Sequence, residues 1–293
     1  MNDAVILFRE ALQACYGPLD WLPVPDGEIH RFHVPGDKSS SQNAWYVLYL
    51  DGIASGAFGS WKDGGTSTWC SREPRDAQES AELRQRIEQA RQQREAERQR
   101  RQAQAAIKAA RWWRDARRAD PAHPYLVAKG VRPHSLRQRG DDLLVPLYVD
   151  GHLVNLQRIA PDGGKRFLFG GLIKGVYSPL GNITPGTEIC ICEGWATGAT
   201  IHQHAGRTVA AAMNAGNLMP AALGLRARYP AQPFLIAGDD DRATEGNPGR
   251  KAANAAAAAI GALVAFPAWP EDCPNDLTDF NDLAAWNITN ARA

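Results

Sequence analysis

At 293 residues, with 44% hydrophobic side chains, the chain is long enough for a full core and two domains. Its five cysteines (15, 70, 190, 192, 273) form no C-x-x-C pair, which excludes a disulfide framework and points to reduced, intracellular thiols. No secretory leader pattern and no apolar stretch of spanning length occurs, so a cytoplasmic protein without a membrane partner is expected. The net charge of +1 conceals an asymmetry: residues 72–118 carry 14 Lys/Arg against 8 Asp/Glu, and the rest of the chain 19 against 24. A basic segment beside an acidic region fits an enzyme of nucleic acids, although a solvated helix is the plainer meaning of such a run.

In chain order, residues 1–20 read as a short amphipathic helix with Val5, Phe8 and Leu12 on its apolar side. Residues 28–34, 44–50 and 52–60 alternate apolar and polar positions between Gly, Pro, Asp and Ser clusters, which predicts a small antiparallel sheet. Its aromatics Trp45, Tyr46, Tyr49, Phe58, Trp61 and Trp69 mix with Arg31, His33, Lys38 and Lys62. Such a surface can stack bases and track phosphates, but the preferred reading is a core, because Trp and Tyr are highly buried on average. Residues 74–118 lack glycine and are rich in Gln, Arg, Glu and Ala, good helix formers. A continuous helix there would span roughly 65 Å at 1.5 Å per residue. Its central stretch, 91–101, reads as a solvated spacer. Four regions result: an N-terminal α+β domain (1–73) that binds template or a partner, a charged helical linker (74–119), a basic β-rich subdomain (120–185) and an α/β domain (186–293).

In the third region, residues 143–149 and 152–159 flank Asp150-Gly151, a strong hairpin signal. In the fourth, short apolar runs (189–192, 208–213, 233–237) alternate with helical stretches (195–205, 218–229), the signature of a parallel sheet. Two of these runs stop at acids, Glu193-Gly194 and Gly238-Asp239-Asp240-Asp241-Arg242. Sites in such sheets lie at the carboxyl ends of strands, and grouped carboxylates there suit magnesium, a hard cation with oxygen ligands. Cys190 and Cys192 read as strand packing. His202 and His204, two apart on a helix, share no face, so zinc is not expected. Residues 214–217 read as an Asx/Gly turn.

Glu193-Gly194 at one strand end and Asp239-x-Asp241 at another resemble the Toprim domain of primases, topoisomerases and some nucleases. Asp241-Arg242 followed by Gly249-Arg250-Lys251-Ala252-Ala253 resembles a run of bacterial-type replicative primases, here interrupted at 244–248. Upstream, Tyr125-Leu126-x-x-Lys129-Gly130, Val145-Pro146-Leu147, Arg158, Lys165 and Lys174-Gly175-x-Tyr177 resemble the basic subdomain that precedes Toprim in those enzymes. Thr278-Asp279-Phe280-Asn281-Asp282 is similar to a late acidic motif of phage-type primases. The resemblance covers about residues 120–285. It implies a Toprim-like parallel sheet flanked by helices, and a primase of a phage, plasmid or integrative element that makes short RNA primers on single-stranded DNA. Residues 1–70 hold only Cys15 and Cys70, so no primase zinc ribbon is expected, and no P-loop occurs.

The resemblance further implies Mg²⁺ or Mn²⁺ as cofactor, nucleoside triphosphates as substrates and a separately encoded replicative helicase as partner. Glu193, Asp239 and Asp241 are the expected catalytic residues and metal ligands, with Glu193 either ligand or base, and Asp279 and Asp282 add a third acidic contribution. Arg158, Lys165, Arg166, Lys174, Arg242, Arg250 and Lys251 are the expected nucleotide and template contacts, because an acidic cluster needs cations to admit a polyanion. Arg242 has the alternative of pairing with its neighbouring aspartates. A Toprim nuclease, or a non-catalytic single-strand-binding or helicase-loading factor, is the competing reading.

Overall fold

The computed structural model describes residues 3–37, 41–61 and 65–291, so Lys38 and Lys62 lie outside the described residues. The chain divides into two compact units, 1–100 and 101–293.

In the first unit, strands β1 (His30–Phe32), β2 (Ala44–Tyr49), β3 (Ser55–Ser60) and β4 (Thr66–Cys70) form an antiparallel sheet in chain order. Helix α1 (Asp3–Tyr16) covers one face through Phe8 and Leu12, both fully buried, against Tyr46, Leu48 and Phe58. The close approach needs glycine at 56, where a Cβ would lie 2.7 Å from the Phe8 ring. On the other face Trp45, Val47 and Ala57 pack against Ala90 of helix α2 (Ala77–Asp115). Trp45, Tyr46 and Phe58 are thus core residues, as the preferred reading has it. The expected spacer helix exists, but Arg94 lies over the rings of Trp45 and Trp61 rather than in solvent (5.3 and 5.7 Å). The helix starts where the Asp76 side chain caps the Glu79 N–H, while the Glu79 carboxylate accepts from the Arg75 N–H just before it.

The second unit contains two sheets. Strands β5 (Arg117–Arg118), β6 (Arg137–Arg139), β7 (Asp142–Val149), β8 (His152–Ile159) and β9 (Lys165–Phe167) form an antiparallel sheet in chain order. The β7–β8 hairpin turns at Asp150 and Gly151, both at positive φ, as a two-residue turn demands. One face, Leu144 and Leu156, packs on Ala109, Trp112 and Trp113 at the C-terminal end of α2. The other, Leu143, Val145, Leu147 and Ile159, joins the main core. Helix α3 (Pro124–Lys129) ends at Gly130 in the left-handed conformation.

The remaining strands, β10 (Ser178–Leu180), β11 (Ile189–Cys192), β12 (Thr208–Ala211), β13 (Phe234–Ala237) and β14 (Leu263–Ala265), are ordered β10-β12-β11-β13-β14. All pairings are parallel except that of β10 with β12. Helices α4 (Trp195–Ala205), α5 (Ala215–Arg228), α6 (Pro248–Ile260) and α7 (Phe280–Asn290) flank it. Residues 172–177 form no strand of their own, Tyr177 making an isolated bridge to Tyr148. Cys190 and Cys192 are buried core residues, and burial pushes the Cys190 thiol up to about 12.

Candidate active site

Cys192 and Ala237 are paired and level across β11 and β13. Glu193 and Asp239 therefore leave neighbouring strands one and two residues past the same line, about 5 Å apart laterally. Burial is the largest influence raising the pKa of both. For Glu193, Asp241 adds to the effect, while an N–H bond from Ala215 opposes it. For Asp239 the surrounding acids Glu193, Asp279, Asp241 and Asp282 push it further, up to about 8. Asp239 Oδ1 is buried and has no hydrogen-bond partner.

Asp241 is anchored at the start of α6: its Oδ2 accepts from Gly249 N–H at 2.7 Å. A Cβ at position 249 would lie 2.8 Å from that oxygen and 2.9 Å from Asp239 O, so glycine is what lets the helix end approach both acids. Asp240 points away, as alternation predicts, and is buried. It accepts from Arg250 at 2.9 Å twice, from Asn247 at 2.7 Å and from Trp269 at 3.2 Å, and the Arg250 bonds chiefly hold its carboxyl down, to about 2.

The late acidic motif adjoins this group. Asp279 caps α7, with Oδ1 accepting from the Asn281 and Asp282 N–H groups and Oδ2 from Thr197 Oγ1. Asp282 accepts from Thr278 N–H and lies 3.6 Å from Lys129 Nζ. Asn281, buried, ties α7 to Lys129 O and to Thr200 of α4. Among the described residues no three His, Cys, Asp or Glu side chains converge closely enough to hold a metal ion.

Of the expected cations, Lys165 faces the acids. It follows from register: Lys165 is opposite Ile159, a residue of the main core. Desolvation lowers its pKa most and Lys129 adds to this, while Asp279, Glu193 and Asp239 raise it. Its ammonium lies 5.8 Å from the Tyr125 ring centre. Lys174 is exposed and precedes Gly175, whose N–H donates to Asn217 at the start of α5.

Arg158 and Arg166 do not face the acids. Direct partners across the strands run Arg118, Arg137, Leu144, Arg158, Arg166, and directly opposite residues share a face. That face is the one under α2, because Leu144 is buried there. Arg158 pairs with Asp142, and Arg139, Lys108 and Arg158 surround the Trp112 ring at 4.3, 4.8 and 5.7 Å. Two further expectations change. Arg250 is taken up by Asp240 and lies over Phe266 at 4.2 Å. Arg242 donates to Pro274 O and lies over Trp269 rather than pairing with the aspartates. Lys251 is exposed on α6.

Sequence reasoning passed over Lys129, Tyr125 and Thr197 as site residues. The first two stand in the Tyr125-Leu126-x-x-Lys129-Gly130 stretch, which was a usable signal, whereas Thr197 has none. Asn214 caps α5 as expected of an Asx turn. Asn217 does more: its amide donates to Val176 O and Ala212 O, fixing the loop beside Glu193.

A parallel sheet with carboxylates at the ends of β11 and β13 defines a class, and the Toprim domain family matches residues 188–286. These residues are thus similar to a Toprim domain, a family whose members generally bind divalent metals. The chain is 33% identical over 271 residues to a DNA primase TraC of Escherichia coli, covering 86% of this chain and 19% of that protein. To a second DNA primase TraC of Escherichia coli it is 34% identical over 273 residues, covering 86% and 26%. The chain thus spans about a fifth to a quarter of the length of these curated relatives. Among solved structures it is similar to the DnaG primase catalytic domain bound to ssDNA (15% identity, 57% of each chain, TM-score 0.34). It is also similar to the Aquifex aeolicus primase zinc-binding and RNA polymerase domains (13% identity, 99% of this chain and 86% of that one, TM-score 0.38).

Proposed function

We propose that this chain carries the nucleotidyl-transfer centre of a DNA primase that joins ribonucleotides on single-stranded DNA. The observation that carries the reading is the buried, unpartnered Asp239 Oδ1 amid four other carboxylates, with Lys165 facing them. Such an arrangement is unfavourable unless a cation completes it. Mg²⁺ or Mn²⁺ takes one or two carboxylates and completes its shell with water and phosphate oxygens, so Asp239 and Asp241 would hold the ion, with Asp279 and Asp282 adding negative charge around it. When bound, the ion supplies charge neutralisation at the triphosphate.

The chain's own groups supply the rest. Glu193, with its raised pKa, accepts the proton of the attacking 3′-hydroxyl. Lys165, with Lys129 beside it, binds the triphosphate, and the exposed Lys174 offers a further phosphate contact. At the margin of the face that α2 packs on, the exposed Arg139 and Arg158 beside Trp112, with Arg166 opposite Arg158, hold the DNA strand by its phosphates. The Toprim nuclease reading uses the same acids, so the test is made with labelled single-stranded DNA and Mg²⁺ or Mn²⁺, with and without the four ribonucleoside triphosphates. The primase reading predicts new short products that require the nucleotides and leave the DNA intact. Cutting of the DNA without nucleotides would contradict it. A helicase partner and a plasmid or phage setting belong to the same proposal.

A further inference from the structure

Between the two carboxylates proposed as ion ligands stands Asp240, and we infer that it is their positioning residue, its buried carboxylate setting where Asp239 and Asp241 point. The inference rests on that reading of Asp239 and Asp241. Its physical basis is the number of separate segments that one side chain joins. Asp240 is 4% exposed, and its two oxygens take four donors from three places. Asn247 comes from the loop before α6, Arg250 from the first turn of α6, and Trp269 from the segment after β14. Its own N–H donates to Thr278 O at 2.7 Å, next to the Asp279 cap.

The link to the neighbours is direct. Asn247, held by Asp240 through its amide N–H, presents its Oδ1 to Asp241 N–H at 3.0 Å and to Arg250 N–H at 3.1 Å. The same residue stands at φ 44°, a left-handed conformation that asparagine tolerates better than most, so its place depends on these bonds. Gly249, one residue before Arg250, donates to Asp241 Oδ2. Loss of the Asp240 charge would release Arg250 and Asn247 together, and with them the helix end that orients Asp241. Asp239 and Asp241 are the chain neighbours of Asp240, and Arg242 N–H donates to Asp240 O across Asp241 at 2.8 Å, so a shift of the Asp240 backbone moves both.

The test is Mn²⁺ affinity, read from the electron paramagnetic resonance of free Mn²⁺ titrated with the full chain. No catalysis is required. The variants are Asp240→Asn, Arg250→Gln, their combination, and Asp241→Asn, each first shown to be folded by its thermal melt. Trp269→Phe, which removes a single donor, serves if Asp240→Asn does not fold. Asp240→Asn is expected to weaken Mn²⁺ by about tenfold and Trp269→Phe by about threefold. The double variant should fall no more than about twofold below the weaker single, because both break one link. Folded Asp240→Asn that binds Mn²⁺ like the wild type, while Asp241→Asn does not, overturns the positioning role and leaves the ion reading intact. A wild type that binds Mn²⁺ no better than Asp241→Asn overturns both.

Discussion

Replacing Asp239 by asparagine should stabilise the metal-free protein, and by an amount that depends on pH. The carboxyl is pushed from 3.8 up to about 8 by burial and by the four acids around it. Unfolded, it ionises from about pH 4; folded, it keeps its proton to about pH 8. Across that window the folded state binds more protons than the unfolded one, so wild-type stability falls as pH rises from about 4 to about 8 and is flat above. About four units at 1.36 kcal/mol each set a ceiling of about 6 kcal/mol, and relaxation and partial solvent access around the group bring it to about 3. For a domain of this size that is about 6–12 °C in Tm. Asparagine carries no such proton, so the variant and wild type should melt together near pH 4 in EDTA and diverge towards pH 8.5, the variant higher. Mn²⁺ should narrow the gap by stabilising only the wild type. A variant no more stable than wild type at pH 8.5, or a gap independent of pH, would refute the reasoning.

Lys165→Met should raise the KM for nucleoside triphosphate about tenfold, with the fold unchanged in circular dichroism, because it removes the cation that faces the acids. Arg139→Ala combined with Arg166→Ala should weaken single-stranded DNA binding in EDTA and lower the slope of log K against log salt by about 1.4, at about 0.7 per contact. Fluorescence anisotropy reads both. Asn217→Ala strands Gly175 N–H, Val176 O and Ala212 O, and should cost about 2–4 kcal/mol in urea unfolding.

The second unit of the fold was legible because its strands are short apolar runs ending at acids and glycines, and because Asp150-Gly151 forces its hairpin. The placement of Glu193, Asp239 and Asp241 beyond the ends of β11 and β13 could be read for the same reason: a strand end locates a side chain without knowledge of its contacts. The cations could not. Arg158, Lys165 and Arg166 lie close in sequence, yet one-residue alternation sends Lys165 to the acids and the two arginines to the face under α2. Which face lies inward depends on what packs there, and that is decided by Leu144 and Ile159 meeting different cores. The ion pair of Arg250 was not legible for a related reason. Its partner Asp240 is ten residues away, and only the loop through Asn247 brings them together. Strand β10 was missed because Ser178–Leu180 is too short and proline-containing to show a pattern.

The most direct test of the central claim is formation of the first phosphodiester bond. Purified protein is mixed with single-stranded DNA of random sequence, labelled ribonucleoside triphosphates and Mn²⁺, and dinucleotide is resolved on a denaturing gel for the wild type and Asp241→Asn. The wild type should give dinucleotide and longer products and the variant at least about 100-fold less, with DNA binding retained. Equal product from both would contradict the assignment of the acidic site to nucleotidyl transfer.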